Sequence, residues 1–449
     1  MSKIVDAVTV VMICRGRLLM VLRQGFLAAF PGYQAFPGGK VDAEDSEGAT
    51  PPAHWGAHEP RLLRALIREL REELDLDLLA LAAKTHIRAL GVALTPPHQP
   101  RRFNTYFFQV ELDEEPALKV DAHELQAAVW RTPQQWLELR ERGEALLAVP
   151  TIAVVQALAQ NLKPENVPGL DFRDRPPQEL PMLDNVPGLR IMPVRSNTLP
   201  PAEHTNCFLL GDAQSHRVLV DPSPGDAAEF EKLCAMVERH GIHEVFLTHH
   251  HPDHHERSAD LARRFAVPIG MSEDTQQRIQ ARCGQDYFAN LAVHHYREGD
   301  VLCRWRGEAV RVLAVPGHDE GQLALMPDNR AWCIVGDLIQ GIGTVVISKP
   351  EGDMAKYYAS LQRLIDLDPK IIVPSHGIAM GSTYRLRDTL HHRQLREQQV
   401  LSLWNAGHEI DAMLPLIYKD VDPRLLPLAR RNIESHLHKL REEGVLARS

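Results

Sequence analysis

Three histidines and an aspartate stand within six residues of the stretch LTHHHPDHHE, residues 247–256. They are His249, His251, Asp253 and His254, at the spacing H-x-H-x-D-H. Alternate residues of an extended segment point the same way, so His249 and His251 can reach one metal ion, and Asp253 and His254 a second. Imidazole and carboxylate groups together suit zinc. The apolar run directly before the stretch predicts a buried strand, which a solvated histidine tract or a tag would lack.

Three later apolar runs also end on a possible metal ligand beside a glycine. His318 follows VLAV, Asp337 follows WCIV, and His376 follows IIVPS. A lone histidine after a strand is more often a satisfied polar residue than a ligand. Three such strand ends in a region that also contains H-x-H-x-D-H favour ligands, because strands of a layered α/β fold can converge at one edge.

On these motifs, residues 188–378 resemble the metallo-β-lactamase superfamily. The resemblance implies an αββα sandwich and two zinc ions, with Asp253 also among the catalytic residues. Water held between two cations would lose a proton near neutral pH and act as the nucleophile, a metal-bridging hydroxide. The implied ligands are His249, His251 and His318 for one ion, Asp253, His254 and His376 for the other, and Asp337 as a bridge. The spacers His250 and His255 are out of phase with the ligands, and we expect them behind the ligands or exposed.

A second cluster of acids lies on a predicted helix that starts at Pro60, a favourable first helical position, and continues through RLLRALIRELREEL. Glu69, Glu72 and Glu73 fall on one face at helical spacing. Crowded carboxylates repel one another unless a cation neutralises them, and oxygen ligands in that number suit magnesium or manganese. A metal held there can polarise a diphosphate for attack by water. A solvated acidic face would show the same pattern. The predicted core stripe is Leu63, Ile67, Leu70 and Leu74.

The preceding FPGGKVDAE and the run RELREELDL together resemble the Nudix box. The resemblance, over residues 1–160, implies an α/β/α sandwich in which Arg68 orients Glu69, and in which Glu69, Glu72 and Glu73 bind Mg²⁺ or Mn²⁺. Arg68 and Glu69 are the implied catalytic pair. The segment 46–59, which we expect to be a loop, enlarges the usual gap between Glu44 and Arg68 of this pattern, and Asp75 replaces the usual glycine. The enlarged gap is similar to that of Nudix proteins that cleave coenzyme A and its esters.

Residues 161–187 are rich in proline and charge and predict a linker. Residues 379–449 predict a long helix, a short helix, a third helix and then a strand, VLA, which is typical of a small winged helix. The order of these segments after the lactamase-like core is similar to that of the beta-lactamase-like protein 2 group, which includes an endoribonuclease acting on single-stranded RNA. Basic residues of this tail predict either a phosphate-tracking surface or a solvated helical face. They are Arg393, Arg396, Arg424, Arg430, Arg431, Lys439 and Arg441.

Length and composition limit the number of domains and the classes of protein that the chain can belong to. A chain of 449 residues predicts two or three domains, here an α/β and α+β multidomain protein. The formal net charge of −9 argues against a globally basic nucleic-acid binder, though not against a local basic patch. The six cysteines are scattered and form no C-x-x-C pair, which indicates small core residues in a reducing compartment. We find no leader and no long apolar span, so we expect a cytoplasmic protein that does not enter a membrane.

The sequence therefore predicts two fused metal-dependent hydrolases and leaves their substrates open. The lactamase-like half could cleave RNA phosphodiesters, as its tail suggests, or thioesters, as glyoxalase II relatives do with the same ligands. The Nudix-like half could hydrolyse a small-molecule diphosphate of the coenzyme A type. Alternatively, it could be a non-catalytic module that only binds a nucleotide. The oligomeric state is left open.

Overall fold

The computed structural model describes residues 4–81, 85–97, 99, 101–168, 170, 179–211, 215–419 and 422–446. The chain divides into two compact units. The N-terminal unit comprises residues 1–179 and 183–187, and the C-terminal unit comprises residues 180–182 and 188–449. Within the described residues, no helix combines the length and the apolar character needed to span a bilayer.

The N-terminal unit is built on a six-stranded sheet with the order β3-β2-β1-β5-β4, and β6 also pairs with β2. Strands β1 and β2 form an antiparallel hairpin, while β1 and β5 pair in parallel along their full length. The elements are β1 Ile4–Cys14, β2 Arg17–Arg23, β3 Gln34–Ala35, α1 Pro60–Leu74, β4 Ile87–Leu94, β5 Arg102–Leu112, β6 Leu125–Arg131, α2 Pro133–Glu141, α3 Val149–Gln160 and β7 Leu183–Val186.

Helix α1 packs its apolar face on this sheet, and its three acids lie in the C-terminal half of the helix. Leu63, Leu70 and Leu74 are buried and Ile67 is partly buried, as the stripe predicts. The helix ends at Asp75, which has φ 53° and ψ 33°, in the left-handed region. Glycine is favoured in that conformation because it has no Cβ, but aspartate tolerates it better than most residues. The departure from the Nudix pattern at this position therefore leaves the helix end intact.

Two segments expected to lack regular structure contribute to the N-terminal unit. Segment 46–59 contains a one-turn 3-10 helix, Ala53–Trp55, and the Trp55 side chain is buried in the core. The indole Nε1 of Trp55 donates to Oγ1 of Thr85 at 3.2 Å. The predicted linker contains β7 and the buried residue Leu170, while residues 171–178 lie outside the described part of the chain. A single anchor residue or a four-residue strand is too short to produce a readable hydrophobic period.

The C-terminal unit has two sheets. In the first, the strand order is β13-β12-β11-β10-β9-β8, and in the second it is β14-β15-β16-β17-β18-β19. Strands β10 to β13 run parallel, and β17 and β18 are also parallel. The strands are β8 Leu189–Arg195, β9 His204–Leu210, β10 Val218–Val220, β11 Glu244–Phe246, β12 Ile269–Met271, β13 Val293–His295, β14 Val301–Trp305, β15 Glu308–Ala314, β16 Leu323–Pro327, β17 Cys333–Ile334, β18 Ile371–Val373 and β19 Met380–Gly381.

Helices cover these sheets, and the short strands β10, β11 and β18 are buried along their whole length. Continuous apolar runs of this kind are typical of strands that are covered on both faces. The helices are α4 Ala227–His240, α5 Pro252–His255, α6 Ser258–Arg264, α7 Glu273–Cys283, α8 Met354–Leu367, α9 Tyr384–Asn405, α10 Ile410–Ile417 and α11 Leu426–Glu442.

The tail contains the three predicted helices, α9, α10 and α11, around a small core of its own. The predicted strand VLA is wrong for its two described residues, because Val445 and Leu446 form a bend. Leu446 is instead buried against the helices, beside Val400 and Leu440, so helix packing determines its conformation. Ala447 lies outside the described residues.

Candidate metal centres

Four strands of the C-terminal unit end near the histidine stretch and bring its partners together. The stretch follows β11, and its last histidines lie on the short helix α5. His318 follows β15, Asp337 lies in the turn after β17, and His376 follows β18. The seven predicted ligands thus converge from both sheets at one edge, as the strand-end pattern indicates.

The first group of nitrogens belongs to His249, His251 and His318. Nδ1 of His251 lies 3.0 Å from Nε2 of His249 and 2.9 Å from Nε2 of His318. The opposite nitrogen of His318 lies 2.9 Å from the carbonyl oxygen of Val346, to which it donates. That bond fixes the tautomer that leaves Nε2 free to bind a metal.

The second group consists of Asp253, His254 and His376. Nε2 of His376 lies 3.5 Å from Oδ2 of Asp253 and 3.4 Å from Oδ1 of Asp337. The other carboxylate oxygen of Asp337, Oδ2, lies 3.8 Å from Nε2 of His318, in the first group. Asp337 therefore has one oxygen facing each group, the position required of a bridging ligand.

The donor atoms of the second group fit a metal ion. Nε2 of His254, Nε2 of His376 and Oδ1 of Asp337 are buried and have no hydrogen-bond partner among the described residues. Leaving three such atoms unsatisfied costs free energy, so each needs a ligand that the polypeptide does not supply. Two imidazoles and carboxylates in a buried pocket match the donor chemistry of zinc.

The two ligand groups differ in their electrostatics, and the carboxylates of the second group favour positive charge there. Burial alone lowers the pKa of His376, but Asp337 and Asp253 outweigh it and raise the pKa to about 10. In the first group, burial and the neighbouring His251 lower the pKa of His318 to about 4, which keeps its imidazole neutral. A neutral imidazole is the form that binds a metal, and the surplus carboxylate charge in the second group would be balanced by cations.

Asp221, which the site prediction omits, supports the histidine stretch from the end of β10. One of its oxygens, Oδ1, accepts from the backbone N–H of Thr248 at 2.8 Å, and Oδ2 accepts from Oγ1 of the same threonine at 2.7 Å. Asp221 itself has φ 50°, an uncommon value for a residue other than glycine. In the sequence, the one indication of this role is that Asp221 is an acid at the end of a predicted strand, VLVD.

His250 is buried and belongs to a chain of contacts behind the first group, which is the first of the two alternatives expected for the spacer histidines. Its Nδ1 lies 2.5 Å from Oδ2 of the fully buried Asp319, and its Nε2 lies 3.5 Å from Oε1 of Glu351. The second oxygen of Glu351 lies 3.3 Å from Nε2 of His251. Sequence reasoning missed Glu351 because it lies 100 residues from the motif, in a loop without periodicity.

In the N-terminal unit, Arg68 organises the acids of α1. One guanidinium nitrogen donates to Oε1 of Glu69 at 2.9 Å and to Oε2 of Glu72 at 2.9 Å. The opposite edge of the guanidinium forms two bonds with the buried Asp45. The neighbouring acid, Glu44, is exposed. The acid before α1 that pairs with Arg68 is therefore Asp45.

The other acids of α1 lie under the glycine-rich turn. Glu73 accepts from the backbone N–H of Gly38 at 2.9 Å, and a Cβ at Gly39 would collide with both oxygens of Glu69. Burial raises the pKa of Glu69 to about 7 and that of Glu73 to about 8, with nearby acids adding to both shifts. Glu72 is exposed, and among the described residues the three carboxylates do not form a tight group like those of the histidine site.

Family models match three parts of the chain. The Nudix domain model matches residues 3–149, the metallo-beta-lactamase superfamily model matches residues 200–376, and the beta-lactamase associated winged helix model matches residues 410–449. The chain is a Nudix domain joined to a metallo-beta-lactamase domain with a winged helix. These matches confirm the predicted fold classes, and both families are hydrolases, so the chain is a metal-dependent hydrolase.

Individual relatives match part of the chain. The chain is 28% identical to "Beta-lactamase-like protein 2 homolog" of Drosophila melanogaster, over 54% of this chain and 84% of that protein. It is 30% identical to a hydroxyacylglutathione hydrolase of Fuscovulum blasticum, over 40% of this chain and 64% of that enzyme. A crystal structure of a beta-lactamase domain protein from Burkholderia ambifaria aligns with a TM-score of 0.52 at 24% identity, covering 62% of this chain and 93% of that one, which shows the fold.

Proposed function

We propose that the lactamase domain is a two-metal hydrolase that cleaves thioesters. The observation that carries the proposal is the placement of Asp337, whose two oxygens face two separate groups of ligand atoms. His249, His251 and His318 would hold one cation, and Asp253, His254 and His376 the other. Two divalent cations, zinc by the donor chemistry, would supply an ionised water and a polarised carbonyl.

Within this site, Asp253 is the carboxylate ligand most open to solvent, with a side chain 16% exposed against 7% for Asp337. Burial opposes its ionisation, but His254 and His376 hold the pKa of Asp253 below its usual range. These contacts keep the carboxylate of Asp253 ionised, which is the form required both of a metal ligand and of the proton acceptor that we propose it to be. Water adds to the thioester carbonyl, the C–S bond breaks, and the products are a carboxylic acid and a thiol.

Support for a thioester comes from a relative and from the tail. The hydroxyacylglutathione hydrolase relative is named for a thioester substrate. Most basic side chains of the tail are already engaged, which weakens the case for a surface that tracks a phosphate backbone. Arg424, Arg430 and Lys439 form ion pairs with acids, and Arg393 and Arg396 donate to backbone carbonyls.

For the Nudix domain, we propose Mg²⁺- or Mn²⁺-dependent hydrolysis of a diphosphate of the coenzyme A type. The support is the orientation of Glu69 and Glu72 by one guanidinium nitrogen of Arg68. Arg68 and Glu69 are the proposed catalytic pair, and Glu69, Glu72 and Glu73 the proposed ligands. Coenzyme A thioesters would then be substrates of both domains, because one would release the acyl group and the other would cut the diphosphate.

Cleavage of single-stranded RNA is the second candidate for the lactamase domain. The winged-helix match after the lactamase domain favours it, since such domains commonly contact nucleic acid. Phosphodiester hydrolysis needs the same ionised water and the same stabilisation of developing negative charge.

The test uses the full chain loaded with zinc and magnesium, assayed with an acyl-coenzyme A, with coenzyme A and with labelled single-stranded RNA. Asp253→Asn disables the lactamase site and Glu72→Gln disables the Nudix site, so each activity can be assigned to one domain. We expect thiol release that Asp253→Asn abolishes and diphosphate cleavage that Glu72→Gln abolishes. Asp253-dependent RNA cleavage without thiol release would overturn the thioester proposal. Coenzyme A that binds but is never cut would mark the Nudix domain as a binding module.

A further inference from the structure

A cleft of about 480 Å³ lies beside the proposed metal centre, between the loop after β17 and helix α11. Lys349 and Glu351 line it from the loop, and Arg431, Glu434, His438 and Arg441 line it from the helix. Glu351 also lies 3.3 Å from His251 of the first ligand group, so the cleft begins one side chain away from that group. The loop and the helix are tied together, because Oγ of Ser435 donates to the carbonyl of Ile347 at 2.7 Å.

Several of the charged side chains that line the cleft pair with another side chain. Lys349 pairs with Asp353, and Glu434 pairs with Arg430, both of which lie outside the lining. His438 lies 3.1 Å from Glu442. Two guanidinium groups remain, since neither Arg431 nor Arg441 has an acidic partner within 4.0 Å among the described residues.

These two arginines are also the only members of the tail's basic set, within the described part of the chain, that neither pair with an acid nor donate to a backbone carbonyl. Arg441 lies with its guanidinium carbon 5.0 Å from the ring centre of Trp404. Its Nε is buried and has no hydrogen-bond partner among the residues described. The stacking holds one face of the guanidinium and leaves its planar edge available to an anion.

We propose that this cleft binds a phosphate group carried by the part of the substrate that does not react, with Arg431 and Arg441 as its ligands. Arginine forms paired, charge-assisted hydrogen bonds to phosphate oxygens. Binding energy from a remote group places the scissile bond at the metal centre. The inference rests on the proposed hydrolysis at that centre and adds the chemistry by which the substrate is selected. The phosphate could be the monoester of a coenzyme A-type thioester or a phosphodiester of RNA.

Binding of adenosine 3′,5′-bisphosphate to the full metal-loaded chain, measured by calorimetry, tests the site without turnover. We expect Arg431→Gln to weaken this binding about 10-fold, because a charge-assisted hydrogen bond to the phosphate is lost. Arg441→Lys, which keeps the charge and loses the planar edge, should weaken it as well. Arg424→Gln is the matched control, because Arg424 belongs to the same tail but pairs with Asp422 outside the cleft. Equal binding by wild type, Arg431→Gln and Arg441→Lys would overturn the proposal.

Kinetics separate the two sources of phosphate and separate this inference from the proposed function. With acyl-coenzyme A, Arg431→Gln should raise KM about 10-fold and leave kcat nearly unchanged, while an acyl-pantetheine thioester without phosphate should show no change. If the bisphosphate binds in the Arg431-dependent manner but only RNA is cleaved, the cleft stands and the thioester proposal fails. If thioesters are cleaved with no effect of either arginine, the cleft proposal fails and the thioester proposal stands.

Discussion

Nδ1 of His254 lies 2.9 Å from Oδ2 of Asp221, and both side chains are fully buried. Because this bond occupies Nδ1, only Nε2 of His254 can face the proposed second cation, and the carboxylate increases the basicity of the imidazole. Asp221→Asn keeps the shape of the side chain but removes its charge. We expect the affinity of the second group for zinc to fall about 10- to 100-fold, the range typical for loss of such partners.

Zinc content after dialysis against graded chelator measures this effect, and wild type should retain two ions where Asp221→Asn retains one. Asp260→Asn is the control, since Asp260 pairs with Arg263 at the surface of the same domain. Identical zinc retention by Asp221→Asn and wild type would show that the buried carboxylate does not support the site.

Glu351 is expected to orient His251 for the first cation in a similar way. Its Oε2 lies 3.3 Å from Nε2 of His251, and this contact favours the tautomer in which Nδ1 is free. Glu351→Ala should therefore lower zinc affinity in the first group about 10-fold, by the same range of effects. Glu351→Gln can still accept a hydrogen bond and should retain most of the affinity.

Cobalt substitution provides the readout, because the absorption of Co²⁺ depends on its ligands. The expected result is an altered spectrum and weaker binding in Glu351→Ala, with Glu351→Gln close to wild type. Equal loss in both variants would indicate that the charge of Glu351, and not its acceptor oxygen, supports the metal site.

The sequence predicted the convergence of ligands because each one follows a strand, and strands of one layered fold end at a common edge. Asp221 obeys the same rule and could have been found by it. Glu351 and Asp319 could not, because their contacts depend on how a loop folds back over His250 and His251. The same limit applies to the tail, where Leu446 has the composition of a strand but packs among helices.

In the Nudix domain, two adjacent acids before α1 lie in different surroundings. Asp45 is buried and forms two hydrogen bonds with Arg68, at 3.1 and 2.9 Å, whereas Glu44 is exposed. Arg68 in turn holds Glu69 and Glu72. We expect Asp45→Asn to lower diphosphate hydrolysis at least 10-fold, since hydrogen bonds to charged groups contribute about 1.5–3 kcal/mol, while Glu44→Gln should change it little.

Steady-state hydrolysis of coenzyme A by the two variants, with thermal unfolding to check the fold, makes this comparison. A large loss in Glu44→Gln with a small one in Asp45→Asn would show that Glu44, and not Asp45, supports Arg68.

Low pH should lower the stability of the helical tail through His436. This residue is fully buried on α11, and its Nδ1 lies 3.2 Å from Oε2 of Glu397. Burial lowers the pKa of His436 below its usual value, although Glu397 opposes the shift. The folded state therefore binds fewer protons than the unfolded state as pH falls below about 6.5, the value for an unfolded histidine. Stability is fully present above that pH and is lost as pH falls through the folded pKa. The same sign holds for Glu397: burial raises its pKa, but His436 and Lys439 outweigh that and lower it.

His436→Gln should thus show a smaller decrease in unfolding temperature between pH 7.5 and pH 5 than wild type, because the variant has no imidazole at this position that takes up a proton on unfolding. His438→Gln is the matched control, because His438 lies two residues away on the same helix with its side chain 43% exposed. The control should follow the wild-type pH dependence. If His436→Gln also follows it, the acid sensitivity of this region does not depend on the buried imidazole.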